Sequence, residues 1–303
     1  MSTQVVTKSP RSCRIPRVTG PFVNIYKPEA DTFPLPTVST ADGHITYTQG
    51  VTYPEWRTND HTFIKGPDQR WHCFGITKPW VTGDNGHCGE GLCFHAVAPQ
   101  GTFAQAVSFQ SWHDLPKISV SDCGWAPAAI KIDDEYLLVG SRLGQAASMD
   151  LHTWEARGRL PAKGGNRDPY IRFWDKCYYL LRCDGNGVNL VTSTDFRTWS
   201  EPLTIYRPEA ESYQAESPVL IPLDGLFYLF WTLWDTADKS TSGYCPKTYV
   251  HCSDSPADFH GRPPLAEITV HAPEIIRAED GQWFISSADY PFRGVGVAPL
   301  TWE

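Results

Sequence analysis

The chain has 303 residues, 34 of them acidic and 26 basic, for a formal charge of −8. A nucleic acid or an anionic membrane is excluded as a partner on that balance, because both need clustered Lys and Arg to displace counterions. No apolar run approaches the ~18–20 residues of a membrane span, and the 41% apolar content is enough for a large core.

In chain order, residues 1–19 read as an N-terminal extension. The start, Met1 to Arg11, lacks the ~7–15-residue apolar stretch of a secretion signal, so a cytoplasmic location is expected. Phe22-Val-Asn-Ile-Tyr26 echoes Leu203-Thr-Ile-Tyr206, a segment that follows Trp199 as an outer strand. The chain ends where another such strand is due, so the N-terminal segment is expected to supply it and cover a bare sheet edge. Between these ends one unit recurs: a residue pair, a proline, an apolar strand, a turn and an aromatic strand. The copies begin at Trp125-Ala-Pro127, Arg167-Asp-Pro169, Glu216-Ser-Pro218 and His271-Ala-Pro273, and Asn59-Asp60-His61 fits as a fifth with histidine in the proline position. Interleaved corners of Ser-x-Asp-x-x-x-Trp type end at Trp154 and Trp199, with a shorter form at Trp112; the three tryptophans lie 42 and 45 residues apart. That period matches the ~40–50 residues of a four-stranded propeller blade. The 24 glycines and 25 prolines, spread throughout, suit short strands and turns. The expectation is an all-β, five-bladed propeller of four-stranded antiparallel blades over residues 1–303, one domain, closed by an N-terminal strand. Loops 77–100 and 233–248 are expected to be rim insertions. Nine scattered cysteines, an odd number, read mostly as buried thiols rather than a disulfide framework. His87-Cys88 with Cys93 and His95 is too loosely spaced for a zinc motif.

In a propeller the inner strands line a central channel and start at one mouth, so residues beside the repeated prolines converge. They are Asp60, Trp125, Arg167 with Asp168, Glu216, and His271 with Glu274. Three carboxylates, Asp60, Asp168 and Glu216, suit glycoside hydrolysis, which needs a protonated carboxyl for the leaving oxygen and a carboxylate to attack or to activate water. Each also has a plainer reading: Asp60 as a turn cap, Asp168 as the ion-pair partner of Arg167, His271 as a core histidine, and Glu274 as a structural residue turned away from the mouth. Trp125 and Trp231 either pack or form sugar platforms, and His61 and His271 join Arg167 as candidate substrate contacts.

These motifs resemble the five-bladed propeller glycoside hydrolases of families 43 and 32. Arg167-Asp168-Pro169 is similar to the Arg-Asp-Pro signature of family 32, Glu216-Ser217-Pro218 to the Glu-x-Pro element of the general acid, and Asn59-Asp60 to the Asn-Asp-Pro of the catalytic first-blade aspartate. The sequence departs from that pattern at His61, Thr62-Phe63 and Ser217. The resemblance implies a hydrolase acting on terminal arabinofuranoside, xyloside or fructofuranoside bonds. It makes Glu216 the acid, Asp60 the nucleophile or base, and Asp168 the modulator, with Asp168 and Arg167 keeping Glu216 protonated. The substrate is a small oligosaccharide or glycoside, with no organic cofactor required and calcium possible in the channel. A glycoside phosphorylase and a non-catalytic carbohydrate-binding propeller are the alternatives.

Overall fold

The computed structural model describes residues 12–83, 88–108, 112–185, 187–238, 244–289 and 293–303, and they form the five-bladed propeller. Blade 1 comprises Trp56–Lys65, Trp71–Pro79, Leu92–Val97 and His113–Ile118; blade 2 Ala128–Ile132, Glu135–Val139, Gly144–Ser148 and Glu155–Arg159. Blade 3 comprises Arg167–Trp174, Cys177–Cys183, Val188–Ser193 and Leu203–Tyr206; blade 4 Tyr213–Leu223, Leu226–Asp235, Tyr244–Ser253 and Ala266–Ile268. In blade 5, Ile275–Arg277, Trp283–Ala288 and Val295–Trp302 are completed by the N-terminal chain.

That completion is longer than expected. Val23–Tyr26 pairs with the edge strand as foreseen, Val23 opposite Val297, and Pro16–Val18 continues along the same edge, Pro16 opposite Trp302. The closing edge therefore begins inside the stretch read as an extension. Cys13, just ahead of it, forms a disulfide with Cys252 of blade 4. The expectation of thiols fails at this pair, because cysteines 239 residues apart leave no spacing signal; Cys73, Cys93, Cys123 and Cys183 are buried thiols.

Neighbouring blades pack face to face, so their strands lose the apolar–polar alternation of a half-exposed sheet. Leu226-Phe-Tyr-Leu-Phe-Trp231 is buried throughout. Leu138 and Phe74 join blades 1 and 2, Leu137 and Leu180 join blades 2 and 3, and Phe63 and Phe284 join blades 1 and 5. Each such side chain contributes about 1.5–3 kcal/mol by leaving water. The Ser-x-Asp-x-x-x-Trp corners are structural. Asp150 accepts the His152 and Thr153 amides at 2.8 and 2.7 Å, and Asp195 accepts those of Arg197 and Thr198 at 2.8 Å. These amides push both carboxyls down to about 2. In blade 1 a helix, Phe103–Ser108, takes the place of the corner, and Trp112 Nε1 donates to Ala106 O at 3.1 Å; residues 109–111 of that motif lie outside the described residues. Much of the segment 77–100 is strand, which leaves 80–91 as the insertion, and 84–87 with His87 lie outside the described residues. The other insertion narrows to the stretch between Asp235 and Tyr244, of which 239–243 are not described. Unforeseen in the sequence, residues 31–53 form two small two-stranded sheets that bury Phe33 and Tyr47 against Trp56 and Leu92.

The repeated proline motif has a common backbone. Ala126, Asp168, Ser217 and Ala272, each directly before its proline, adopt left-handed φ values of 44°, 52°, 45° and 48°. A side chain there costs about 1–2 kcal/mol. In blades 3 and 4 this residue lies where the register shifts, between Arg167 and Tyr170 and between Glu216 and Val219, and such bulges re-aim side chains. Bonds from one blade to the next hold the conformation. Asp168 N donates to Ser141 Oγ at 3.1 Å, Ser217 N to Asp168 Oδ2 at 3.3 Å, and Ala272 N to Thr232 Oγ1 at 3.2 Å. Ala272→Gly removes the Cβ from such a position and is expected to raise the melting temperature by about 2–4 °C. A calorimetric scan in which the variant melts at or below the parent would show that the position is unstrained.

Candidate active site

Asp60 enters from the inner strand of blade 1, where the register shifts between Thr58 and His61. Gly75 faces His61 across that shift; a Cβ on Gly75 would stand 2.7 Å from the Asp60 carbonyl and 2.4 Å from the Phe94 ring, so a glycine is required for the approach. Ser217 Oγ, from blade 4, donates a very short hydrogen bond to Asp60 Oδ1, while its amide holds Asp168 of blade 3. Ser217 thus couples the two aspartates. Arg167 ties in the third carboxylate: its Nη1 bonds Glu216 Oε1 closely, its Nη2 reaches Gln214 Oε1 at 3.2 Å and Ala215 O at 3.3 Å, and its Nε lies 3.9 Å from Asp168 Oδ2. The side chains of Glu216 and Asp168 are only 13% and 12% exposed.

A cavity of about 30 Å³ opens at this cluster, lined by Asp60, His61, Asp168, Ser217, Glu274 and the motif prolines. It has room for about two waters, since one needs roughly 10–15 Å³. A sugar ring is larger, so a saccharide would meet the carboxylates at the opening.

Electrostatics separate the groups. Burial, then the charge of Asp168, pushes the Asp60 carboxyl up to about 7, and Glu90 adds to the effect. Burial pushes Glu274 up to about 7 against the pull of Arg172, whose Nη2 lies 3.1 Å from Glu274 Oε2. Burial opposes the charge on Arg167, but Glu216, Asp168 and Asp60 outweigh it and hold the guanidinium above its ordinary value. A guanidinium in contact favours the ionised form of a carboxyl. The close Arg167–Glu216 ion pair therefore lends no support to the role expected of Arg167, keeping Glu216 protonated.

The structure brings Asp60, Asp168 and Glu216 together around Arg167, as the motif alignment required. Glu274 does not turn away: it lines the same cavity, with Arg172 as its partner. His61 is 4% exposed with Nε2 2.8 Å from Ser286 Oγ, and burial pushes it down to about 4. His271 is 2% exposed and is pushed by burial down to about 3, which leaves its ring inside blade 5 rather than open to a substrate. Trp125 is half-buried beside Ala126 of the cavity. Trp231 is not brought to the mouth: it is 2% exposed, packs on Tyr206 and Tyr249 at 5.2 and 4.9 Å, and backs a separate pocket of about 400 Å³. Its apolar strand alone could not show which face it takes.

Two contributors escaped the sequence. Glu90, on a rim loop outside the repeat, forms a buried 2.5 Å ion pair with Arg57 and adds negative potential at Asp60. Ser217 stood inside a recognised motif, and its position between two blades was the available signal. The channel donors do not fit calcium, which takes six to eight oxygens. Glu274 is engaged by Arg172, Asp60 by Ser217, and the histidines offer nitrogen.

No protein-family model and no curated sequence matches the chain. Solved structures do. An α-L-arabinanase of Penicillium chrysogenum in complex with arabinobiose superposes with a TM-score of 0.55 at 11% identity, over 90% of this chain and 98% of that one. A thermostable family-43 glycoside hydrolase gives 0.54 at 13%, over 82% and 89%. A family-32 β-fructofuranosidase of Bombyx mori gives 0.54 at 16%, over 80% and 59%. The chain therefore has the five-bladed architecture of these glycoside hydrolases. Identities this low carry the fold and leave the activity to be argued from the site.

Proposed function

We propose that the protein hydrolyses the terminal glycosidic bond of a small furanoside or pentoside. The observation that carries this reading is the gathering of Asp60, Asp168 and Glu216, from blades 1, 3 and 4, around one arginine, with Asp60 and Asp168 lining the cavity. A carboxylate with a proton affinity near neutrality is a stronger base at physiological pH than an ordinary aspartate, which suits Asp60 to attack the anomeric carbon or to deprotonate a water. Ser217 Oγ fixes one of its oxygens, leaving the other to act. Glu216 delivers the proton to the leaving oxygen. For that, Arg167 has to loosen its hold as the sugar hydroxyls arrive, so that Glu216 takes up a proton only in the loaded site. Asp168 maintains the negative field that raises Asp60.

The resting electrostatics favour a second assignment, in which the proton-rich Asp60 is the acid and the arginine-paired Glu216 the ionised partner, since environments that push two carboxyls apart mark acid and base. Phosphorolysis is less well supported. The cations at the mouth are already engaged, Arg167 by Glu216, Arg57 by Glu90, and Arg182 by the carbonyls of Gly164 and Ser141. The arabinobiose bound by the Penicillium arabinanase directs the first assay to arabinofuranosides. Aryl arabinofuranosides, xylosides and fructosides are expected to include at least one that the wild type cleaves and Glu216→Gln cleaves at least about 100-fold more slowly. Saccharide binding without turnover on every member would leave a carbohydrate-binding propeller in place of an enzyme, and a rate that rises with phosphate would restore the phosphorylase.

A further inference from the structure

We propose that Asp68, His72 and His152 form a site for a zinc-class divalent metal at the seam between blades 1 and 2, with His95 as the residue that positions His72. The ligand atoms of the three lie within 4.8 Å of one another, the one such group of three or more among the described residues. His72 Nε2 stands 3.2 and 3.3 Å from the two Asp68 oxygens. Two ligands at about 2.05 Å on a tetrahedral metal lie about 3.3 Å apart, so this pair already has the separation of a shared ion. His152 completes the set by a side-chain adjustment that its exposure allows, and water takes the fourth position.

The fold does not require these side chains. In the aromatic strand that follows each proline motif, the positions matching His72 are Leu137, Tyr179, Tyr228 and Phe284. In the corner motif, the position matching His152 in blade 3 is Arg197. Two imidazoles and a carboxylate therefore meet where sister blades carry other side chains. The space between them is also kept open: a Cβ on Gly66 would stand 2.6 Å from Asp68 Oδ1 and 2.8 Å from His72 Nε2. Behind the site, His72 Nδ1 lies 2.8 Å from His95 Nε2, the outer hydrogen bond that a ligating histidine needs to fix its ring. Mixed nitrogen and oxygen donors select zinc and neighbouring transition metals over magnesium or calcium. Because Asp68 and His72 belong to blade 1 and His152 to blade 2, a bound ion would staple the two sheets.

The test is calorimetric titration of metal-free full-length protein with zinc chloride at pH 7.5, on the wild type, His152→Ala and Asp68→Asn. Both variants change exposed residues, and circular dichroism checks that they remain folded. One equivalent is expected to bind the wild type, and each variant is expected to bind at least about tenfold more weakly. Cobalt in place of zinc should give the visible absorption of a tetrahedral ion in the wild type and lose it in His152→Ala. No saturable binding below about 100 μM zinc, a range any built site of this donor set should reach, overturns the proposal. So does a loss of less than tenfold in His152→Ala. Neither result depends on the glycosidase reading.

Discussion

Asp60→Asn is expected to lower glycoside turnover by about 10²–10⁴-fold and, at the same time, to make the fold more resistant to heat above pH 7. Both effects have one origin. Burial and Asp168 raise the carboxyl from its ordinary value of 3.8 to about 7, so between those limits the folded protein holds a proton that the unfolded chain has released. Stability falls with rising pH wherever the native state binds more protons. The wild type therefore loses stability from about pH 4 to 7, while asparagine, which has no charge to bury, escapes that loss. The advantage of the variant should grow across this window and level off above it. Glu274, raised in the same sense from 4.5 to about 7, leaves a residual slope in both proteins. Melting curves at pH 5 and 8 measure the difference, and coincident curves at pH 8 would mean that Asp60 is not held in a water-poor site. Leaving groups assign the roles. A variant lacking the acid should spare activated dinitrophenyl glycosides, and a variant lacking the nucleophile or base should not; retention in Asp60→Asn rather than Glu216→Gln would establish the exchanged assignment.

Arg167→Met is expected to be the most destabilising single change at the mouth. It keeps the apolar stem and removes the cation from two carboxylates that are 13% and 12% exposed, Glu216 and Asp168. Breaking a buried pair from one side costs about 3–5 kcal/mol, on the order of 10 °C in melting temperature for a chain of this size. Arg167 also ties the start of blade 4 to blade 3 through Gln214 and Ala215, so turnover should fall with stability. The deficit should shrink toward pH 5 as the orphaned carboxyls take up protons. Arg167→Lys should recover only part of the loss, because an ammonium cannot fork between Glu216 and the blade 4 backbone. A deficit below about 1 kcal/mol at pH 7 would place the pair among solvent-screened surface contacts.

What repeats in this molecule was legible, and what occurs once was not. Blades 2 to 5 share one left-handed step before a proline, so Pro127, Pro169, Pro218 and Pro273 marked them. Asp60 could be found by its place in that series although His61 has replaced the proline. The corner tryptophans 154 and 199 gave the period for the same reason. Glu90 acts on Asp60 from a loop with no counterpart in other blades, and Cys13 finds Cys252 only because the ring brings its ends together. The layer formed by Phe33 and Tyr47 follows no period at all. The sign of the Arg167 effect needed coordinates, because an arginine one residue from an aspartate can face either that neighbour or, as here, a glutamate 49 positions away.

The Cys13–Cys252 bond has a consequence for how this protein would behave among other chains. Cys13 precedes strands that pair with blade 5 but is bonded to blade 4, so the cross-link spans the place where the first and last parts of the chain meet. With the bond reduced, the edge of Val295–Trp302 is covered by the short backbone ladders Pro16–Val18 and Val23–Tyr26, helped by exposed ion pairs such as Arg17–Glu303. Peeling them away would bare an eight-residue template for intermolecular strand addition. Reduction of the Cys13–Cys252 bond would thereby favour self-association.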